Sequence, residues 1–223
     1  MAVNKEKYKE IIDELGDKIT LVAVSKTKPV EDILELYEIG QRDFGENYVQ
    51  ELADKQAQLP ADIRWHFIGH LQSNKVKQIA PFVYLIHGVD SLKLLQEINK
   101  QAGKQNRIIN VLLQVHIAKE ETKFGLDEKE LATIMDNKQL DPLTNTCVAG
   151  LMGMASFTED IAAIQNEFHY LKSLFDKHAQ FPIPNSQFHF LSMGMSSDYA
   201  IAVENGSNMV RIGSLLFGAR AKK

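Results

Sequence analysis

Short apolar runs and longer amphipathic segments alternate along almost the whole chain. The apolar runs are rich in β-branched residues and are bounded by turn-forming residues, a pattern that predicts buried strands. The segments between them repeat apolar residues every three or four positions, which predicts helices. The predicted strands are Ile19–Lys26, Asp43–Asn47, Ile63–Gly69, Phe82–Val89, Ile108–Ile117, Thr146–Ala155, Gln187–Met195 and Met209–Phe217. The predicted helices between them are Val30–Ile39, Tyr48–Gln58, Asn74–Ala80, Leu92–Ala102, Glu128–Asn137, Glu159–Lys177 and Tyr199–Asn205.

Two helices carry the clearest local patterns. One precedes all the strands, and Gly16 is a suitable residue to end it. The other is Glu159–Lys177, where Ser156 and Glu159 have the spacing of a capping box. Each has an apolar stripe on one face, which predicts packing against a core. The stripes are Tyr8, Ile11, Ile12 and Leu15 in the first helix, and Ile161, Ile164, Phe168, Leu171 and Phe175 in the other.

Eight strands that alternate with helices predict a (β/α)₈ TIM barrel with an added N-terminal helix. A doubly wound open sheet is the alternative. Such a sheet usually carries a glycine-rich turn after its first strand when it binds a dinucleotide. Here that position holds the segment 25–29, Ser-Lys-Thr-Lys-Pro, which has no glycine. We find no linker or internal repeat and expect one domain over residues 1–223.

Composition adds few constraints on function. The 223 residues are 44% hydrophobic and 24% charged, which is typical of a globular protein. Net charge is −4 and no basic run stands out, so a nucleic-acid partner is not indicated. The single cysteine suits a reducing compartment. Because the N-terminus lacks an apolar signal core and no apolar stretch reaches membrane-spanning length, we expect a cytoplasmic protein.

Lys26 stands at the end of the first apolar run, before Pro29. A barrel places its chemistry at the carboxyl ends of its strands, so this lysine is a candidate for the active site. Burial would lower the pKa of its ammonium group, which is what a lysine that forms Schiff bases needs. The alternative is a lysine that simply leaves the strand into water.

The ends of the last two strands have the composition of a phosphate site. Barrels commonly bind phosphate with the loops after strands seven and eight. These are the segments 191–198, Leu-Ser-Met-Gly-Met-Ser-Ser-Asp, and 210–214, Val-Arg-Ile-Gly-Ser, which offer hydroxyls and closely approachable backbone. Arg211 lies within the second segment and has two interpretations. It is either a structural ion-pair partner or a group that faces a pyridine nitrogen, which it would leave unprotonated.

Other reactive side chains give weaker indications. His66 and His70 lie on a strand-to-loop stretch rather than a helix face, and no acidic partner completes a zinc motif, so we do not expect a metal site. Cys147 lies near the start of a predicted strand and is expected to be a small buried apolar residue. The methionines at 152, 154, 193 and 195 are expected to pack in the core or against a ligand. Further polar residues at strand ends are Asn47, His70, His87, Asp90 and His116.

Several segments together resemble the pyridoxal-phosphate homeostasis protein family, a group of small proteins that bind pyridoxal 5'-phosphate (PLP). The resemblance runs in order along nearly the whole chain and is specific when its motifs are taken together. The matching segments are Val22–Thr27, Phe44–Glu51, Trp65–Lys75, Glu121–Gly125, Gly150–Met152, Leu191–Ser196 and Val210–Ser214.

The resemblance implies a barrel like the N-terminal domain of alanine racemase. It also implies that PLP is held as an internal aldimine on Lys26, that Asn47 lies near the cofactor ring, and that Arg211 faces the pyridine nitrogen. The phosphate would be held by a further set of residues from the last two strands. This set is Ser192, Ser196, Gly213 and Ser214, with the backbone of Gly194 and Met195.

Three functions remain open at this point. The family implies a non-catalytic carrier or regulator in PLP homeostasis that delivers the cofactor to apo-enzymes. The alternative is a small PLP-dependent amino-acid racemase, which needs a base on each face of the substrate carbon. Lys26 supplies one base, and Tyr48 or Tyr199 is a candidate for the other. Because the chain ends soon after the eighth strand, we expect no second domain, and hence a monomer. A metabolic barrel without PLP is the third possibility.

Overall fold

The computed structural model describes residues 3–120, 124–180 and 184–218. The motif residues Glu121, Thr122 and Lys123 therefore lie outside the described residues. The strands are β1 (Thr20–Val24), β2 (Asp43–Glu46), β3 (Arg64–Phe67), β4 (Leu85–Val89), β5 (Ile109–Gln114), β6 (Thr146–Met152), β7 (Ser186–Met195) and β8 (Met209–Ile212). The helices are α1 (Lys5–Leu15), α2 (Val30–Glu38), α3 (Val49–Gln56), α4 (Val76–Ile79), α5 (Leu92–Lys104), α6 (Glu128–Ile134), α7 (Asn137–Leu140), α8 (Ile161–Ala179), α9 (Tyr199–Glu204) and α10 (Ser214–Phe217).

The eight parallel strands form a closed barrel in chain order. Closure is made by β8 pairing with β1, with Leu21 opposite Val210 and Val22 opposite Arg211. The predicted TIM barrel with an N-terminal helix is confirmed, and the open-sheet alternative is wrong. Because all strands are parallel, their carboxyl ends meet at one mouth of the barrel.

Two apolar clusters hold the barrel. The larger lies between the strands and the surrounding helices, and its buried residues include Ile11 of α1 and Phe168 of α8. The smaller fills the barrel and draws residues from several strands, because alternate side chains of each strand point inward. Its buried members are Val22, Leu85, Leu112, Ala149, Met152 and Met209.

Helix α1 packs through only part of its predicted stripe. Tyr8, Ile11 and Leu15 are buried, whereas Ile12 is 37% exposed. The helix begins after Asn4, whose side chain accepts a hydrogen bond from the Lys7 N–H. The spacing of the stripe therefore predicts the correct buried face of the helix, but the buried face is narrower than the stripe.

The predicted capping box at Ser156 and Glu159 is wrong. A box with Ser156 as the N-cap requires the helix to begin at residue 157, but α8 begins at Ile161, four residues later, and Asp160 caps it by accepting from the Ala163 N–H. Ser156 is bound instead to Glu167 of the same helix, through both its N–H (2.7 Å) and its hydroxyl (2.6 Å). Ile161, predicted to join the apolar stripe, is 58% exposed because it is the first residue of the helix.

Several predicted strands are too long. β8 ends at Ile212, and the apolar residues that follow form α10, so hydrophobicity alone misassigned them. β5 ends at Gln114 and β6 at Met152. The predicted helix 128–137 is divided into α6 and α7. No helix in the described ranges has the length and apolar character needed to cross a bilayer.

Candidate functional site

A cavity of about 550 Å³ opens at the carboxyl-terminal mouth of the barrel. Residues from the ends of β1, β2, β3, β7 and β8 line it. The cavity therefore lies at the end of the barrel where TIM-barrel proteins have their active sites. We refer to it as the strand-end cavity. Its lining residues are Val24, Lys26, Lys28, Asn47, Ile68, Met154, Phe157, Met195, Ser196, Ser197, Arg211, Gly213, Ser214, Leu215 and Gly218.

Lys26 is half-buried and lies in a tight turn after β1. The next residue, Thr27, has φ of +62°, a left-handed conformation that is costly for a β-branched residue. The turn is held by a hydrogen bond from the Thr27 N–H to Glu51 Oε1 (2.6 Å) and by one from the Lys28 N–H to the Ser25 carbonyl (3.0 Å). These bonds hold the turn that presents Lys26 to the cavity.

A buried ion-pair network supports this turn from below. Lys55 Nζ donates to the Ser25 carbonyl (2.8 Å), to Glu46 Oε1 (2.7 Å) and to Glu51 Oε1 (2.7 Å). Ser25 Oγ donates to the same Glu46 oxygen at 2.7 Å. Burial raises the pKa of Glu46, and the hydrogen bonds and charge of Lys55 act against that rise. Sequence reasoning missed this network, although Glu51 and Lys55 have the i, i+4 spacing of a helical ion pair.

Asn47 follows β2 directly and lines the cavity. Its side-chain Oδ1 is buried and has no hydrogen-bond partner among the residues that the structure describes. A buried acceptor without a partner is costly, which makes it a suitable site for a donor carried by a ligand.

Arg211 of β8 lies at the cavity floor and is only 4% exposed. Nη1 donates to Ser192 Oγ at 2.6 Å and Nη2 donates to the Gly153 carbonyl at 3.0 Å. Burial lowers the pKa of Arg211 to about 10, against the opposing effect of Asp198. The guanidinium therefore remains charged at neutral pH. The two hydrogen-bond partners named above, a hydroxyl and a carbonyl, are uncharged.

The hydroxyl-rich side of the cavity comes from the loops after β7 and β8. Ser196 Oγ accepts a hydrogen bond from the Gly213 N–H (3.2 Å), which ties the two loops together. Gly213 packs against β1, because a Cβ there would be 3.1 Å from the Val24 carbonyl oxygen. Ser214 is exposed at the start of α10. The two serines therefore lie on adjoining loops at one side of the cavity.

The structure brings most of the predicted site residues to one cavity. Lys26, Asn47, Met195, Ser196, Arg211, Gly213 and Ser214 all line it. Ser192 and Gly194 do not. Ser192 is fully buried beneath Arg211, and Gly194, with φ of +94°, packs against Ala202 and Tyr199 of α9. The Met195 N–H donates to Asp198 Oδ1 at 2.5 Å.

The other strand-end histidines lie away from the cavity. His70 pairs with Asp90 (3.2 Å) and stacks on Phe124, and His87 is buried inside the barrel. Within the described ranges, no group of three or more potential ligands could hold a metal ion. Cys147 is half-buried rather than a small core residue, and burial raises the pKa of its thiol.

Comparison with protein families gives one clear assignment. The family model for the alanine racemase N-terminal domain matches residues 3–221. The chain is 42% identical over 205 residues to the pyridoxal phosphate homeostasis protein of Pasteurella multocida, an alignment that covers 91% of this chain and 87% of that protein. It is also 42% identical to the human pyridoxal phosphate homeostasis protein, covering 90% of this chain and 76% of the human one.

Solved structures agree with this assignment. PipY of Synechococcus elongatus with PLP bound superimposes with a TM-score of 0.87 at 36% identity, covering 96% of this chain and 99% of PipY. Alanine racemase of Bartonella henselae gives a TM-score of 0.71 at 17% identity and shares the fold, covering 96% of this chain and 57% of the racemase. The chain therefore belongs to the pyridoxal phosphate homeostasis protein family, which shares the barrel of the alanine racemase N-terminal domain.

Proposed function

We propose that this protein binds PLP in the strand-end cavity and acts as a carrier or regulator of the cofactor. The observation that carries the proposal is that Lys26 and Arg211 line one cavity together with the unpartnered Oδ1 of Asn47. The family membership and the PLP-bound structure of PipY support it.

The lining of the cavity suits each part of PLP. Lys26 supplies a primary amine for the aldehyde, and the buried guanidinium of Arg211 supplies a donor for the pyridine nitrogen. Ser196 and Ser214 supply hydroxyls for the phosphate, and a hydroxyl on the ring would satisfy Asn47 Oδ1. Val24, Ile68, Met154 and Leu215 supply apolar surface for a flat ring.

Lys26 is the better candidate of the two cavity lysines for the covalent link. Lys28, whose Nζ donates to the carbonyl of Phe217, also lines the cavity, but it lies outside the matching segment Val22–Thr27 that contains Lys26. The turn around Lys26 is held in place by Glu51 and Lys55. When bound, PLP supplies an aldehyde that condenses with amines and a ring that can act as an electron sink.

Two features favour a carrier over a racemase. Arg211 stays protonated and would leave the pyridine nitrogen unprotonated, which weakens the ring as an electron sink. Neither candidate for a second base lines the cavity. Tyr48 is 57% exposed, and Tyr199 donates its hydroxyl hydrogen to Glu14 at 2.8 Å. We infer little or no turnover of amino acids.

The cellular setting is part of the same proposal. A carrier of this kind would give up PLP to apo-enzymes, and an amino acid that displaces Lys26 would provide a route for release. We place it in the cytoplasm as a monomer without nucleic-acid partners, in keeping with its single cysteine and net charge of −4.

The test is to load the protein with PLP and add single L-amino acids in deuterated solvent. We expect a change in the absorbance of the bound cofactor without α-proton exchange in NMR spectra. Before any amino acid is added, Lys26→Ala should lack the absorbance of the lysine-bound cofactor, whereas Lys28→Ala, the matched control in the same cavity, should retain it. If the α-proton of an amino acid exchanges at ordinary enzymatic rates, and the exchange is lost in Lys26→Ala, the protein is instead a racemase.

A further inference from the structure

We propose that Asp43, His66, His87 and Ser192 form an interior relay of positioning residues that fixes the orientation of Arg211 at the cavity floor. The relay is a continuous chain of hydrogen bonds through the inside of the barrel, from the cavity to the opposite mouth. The inference rests on the proposed function, because Arg211 is taken to contact the bound cofactor.

The contacts of the relay are short throughout. Arg211 Nη1 donates to Ser192 Oγ at 2.6 Å, and Ser192 Oγ lies 3.1 Å from His87 Nδ1. His87 Nε2 lies 2.9 Å from His66 Nδ1, and His66 Nε2 lies 3.0 Å from Asp43 Oδ1. Five strands therefore contribute to one chain: β8, β7, β4, β3 and β2.

The two ends of the relay determine the direction of every hydrogen bond. A guanidinium has only donors and a carboxylate has only acceptors. Ser192 must accept from Arg211, so its own hydrogen is available to His87 Nδ1. His66 must donate from Nε2 to Asp43, so a neutral His66 accepts at Nδ1. His87 Nε2 is then the donor to His66 Nδ1. Both histidines are therefore Nε2–H tautomers, and each donor along the chain of hydrogen bonds has one acceptor.

Burial favours this neutral arrangement. His66, His87 and Ser192 are all fully buried. Burial lowers the pKa of His66, against the opposing effect of Asp43, and lowers the pKa of His87 further below its ordinary value. The reverse direction would require an imidazolium at His66, a charge in the barrel interior that desolvation opposes.

The relay is anchored at the surface of the opposite mouth. Arg64 Nε donates to Asp43 Oδ1 at 2.7 Å and its Nη2 contacts the other carboxylate oxygen, while the Arg64 side chain is 46% exposed. Hydrogen bonds to Arg64 and His66 outweigh the effect of burial and hold the pKa of Asp43 below its ordinary value. The Asp43 carboxylate is therefore a fixed acceptor. Through the hydrogen bonds of the relay, it determines how Arg211 is oriented at the other end.

The first test requires no cofactor. Nitrogen-15 NMR of the histidine rings in the apo-protein distinguishes the two neutral tautomers from the imidazolium. We expect His66 and His87 to be neutral Nε2–H tautomers at about pH 7. An Nδ1–H tautomer or an imidazolium at either position would overturn the relay, whatever the protein binds.

The second test measures the PLP-loaded protein. His66→Phe removes the middle of the relay without touching Arg211. We expect the absorbance maximum of the bound cofactor to shift in the same direction as in Arg211→Lys, and cofactor release to become roughly two- to ten-fold faster, the effect of one hydrogen bond. His66→Gln can accept from His87 and donate to Asp43, so it should restore the spectrum.

Leu85→Ala is the matched control, since Leu85 is fully buried in the barrel interior and pairs with His66 across β3 and β4. It should lower stability without moving the spectrum. If His66→Phe fails to fold, Ser192→Ala replaces it and should produce the same shift. A shift in Arg211→Lys but in neither relay variant would overturn the relay and leave the proposed function intact. Wild-type protein that takes up no PLP would instead contradict the proposed function.

Discussion

Gly69, at the end of β3, lies directly against the backbone of Asn47, at the end of β2. A Cβ placed on Gly69 would be 2.3 Å from the Asn47 carbonyl oxygen and 2.9 Å from its Cα. No side chain fits between these two strand ends, so only glycine allows them to approach so closely. The contact determines where Asn47 lies relative to the cavity.

Gly69→Ala is therefore expected to displace Asn47 and weaken PLP retention. Overpacking against fixed backbone typically costs about 1–3 kcal/mol, so the variant should fold but unfold at lower denaturant concentration. Denaturant unfolding and the rate of PLP release measure the two effects. Gly103→Ala in α5 is the control, because the atoms nearest to a Cβ there belong to the Asn145 side chain, the closest at 3.1 Å, rather than to backbone. Equal PLP retention in both variants would contradict the role of this contact.

Removal of the Lys55 ammonium should leave the buried carboxylate of Glu46 without its charged partner beneath the Lys26 turn. Breaking a buried ion pair typically costs about 3–5 kcal/mol, so we expect Lys55→Met to lose stability on that order. Adding Glu46→Gln should restore part of the loss, because it removes the buried carboxylate. Lys100→Met, which breaks an exposed pair with Glu97 (3.8 Å), should cost less than about 1 kcal/mol.

The double variant decides whether this explanation is correct. If it is no more stable than Lys55→Met, the loss does not come from the charge on Glu46. Urea unfolding of the three variants and the wild type at one pH is sufficient for the comparison.

The pH dependence of stability should depend on the buried histidines. Burial lowers the folded-state pKa of His66 and His87 below the ordinary 6.5. Below that value the unfolded chain binds more protons than the folded one, so stability should fall as the pH drops. The slope reaches at most about 1.4 kcal/mol per pH unit for each histidine.

Urea unfolding of the wild type and His87→Phe between about pH 7 and about pH 5 tests this slope. The variant should have a shallower dependence, even though its stability at neutral pH is lower. His178, whose pKa burial also lowers, contributes equally to both proteins. If the free energy of unfolding changes with pH by the same amount in both proteins, the pKa of His87 is not lower in the folded protein than in the unfolded chain.

The barrel could be predicted from the sequence because strand and helix periodicities differ clearly and alternate along the chain. Lys26 and Arg211 could be selected because parallel strands bring their carboxyl ends to one mouth. The structure places both at the same cavity, and their roles toward a cofactor stay predictions.

The interior relay could not be predicted from the same patterns. His66 and His87 lie within apolar runs, and strand alternation does not show that their rings meet at 2.9 Å across β3 and β4. Ser192 was expected at the phosphate, but it lies one layer deeper, bonded to Arg211. Placing these residues requires the register of neighbouring strands, which one sequence does not provide.

In the proposed function, the cofactor is attached covalently to Lys26. The most direct measurement is to load the protein with PLP, reduce it with borohydride to make the link permanent, and locate the added mass by peptide mass spectrometry. We expect the mass on the peptide fragment that contains Lys26, with fragmentation assigning it to Lys26 rather than Lys28. The cofactor mass on Lys28 or Lys75, or on no lysine, would contradict it.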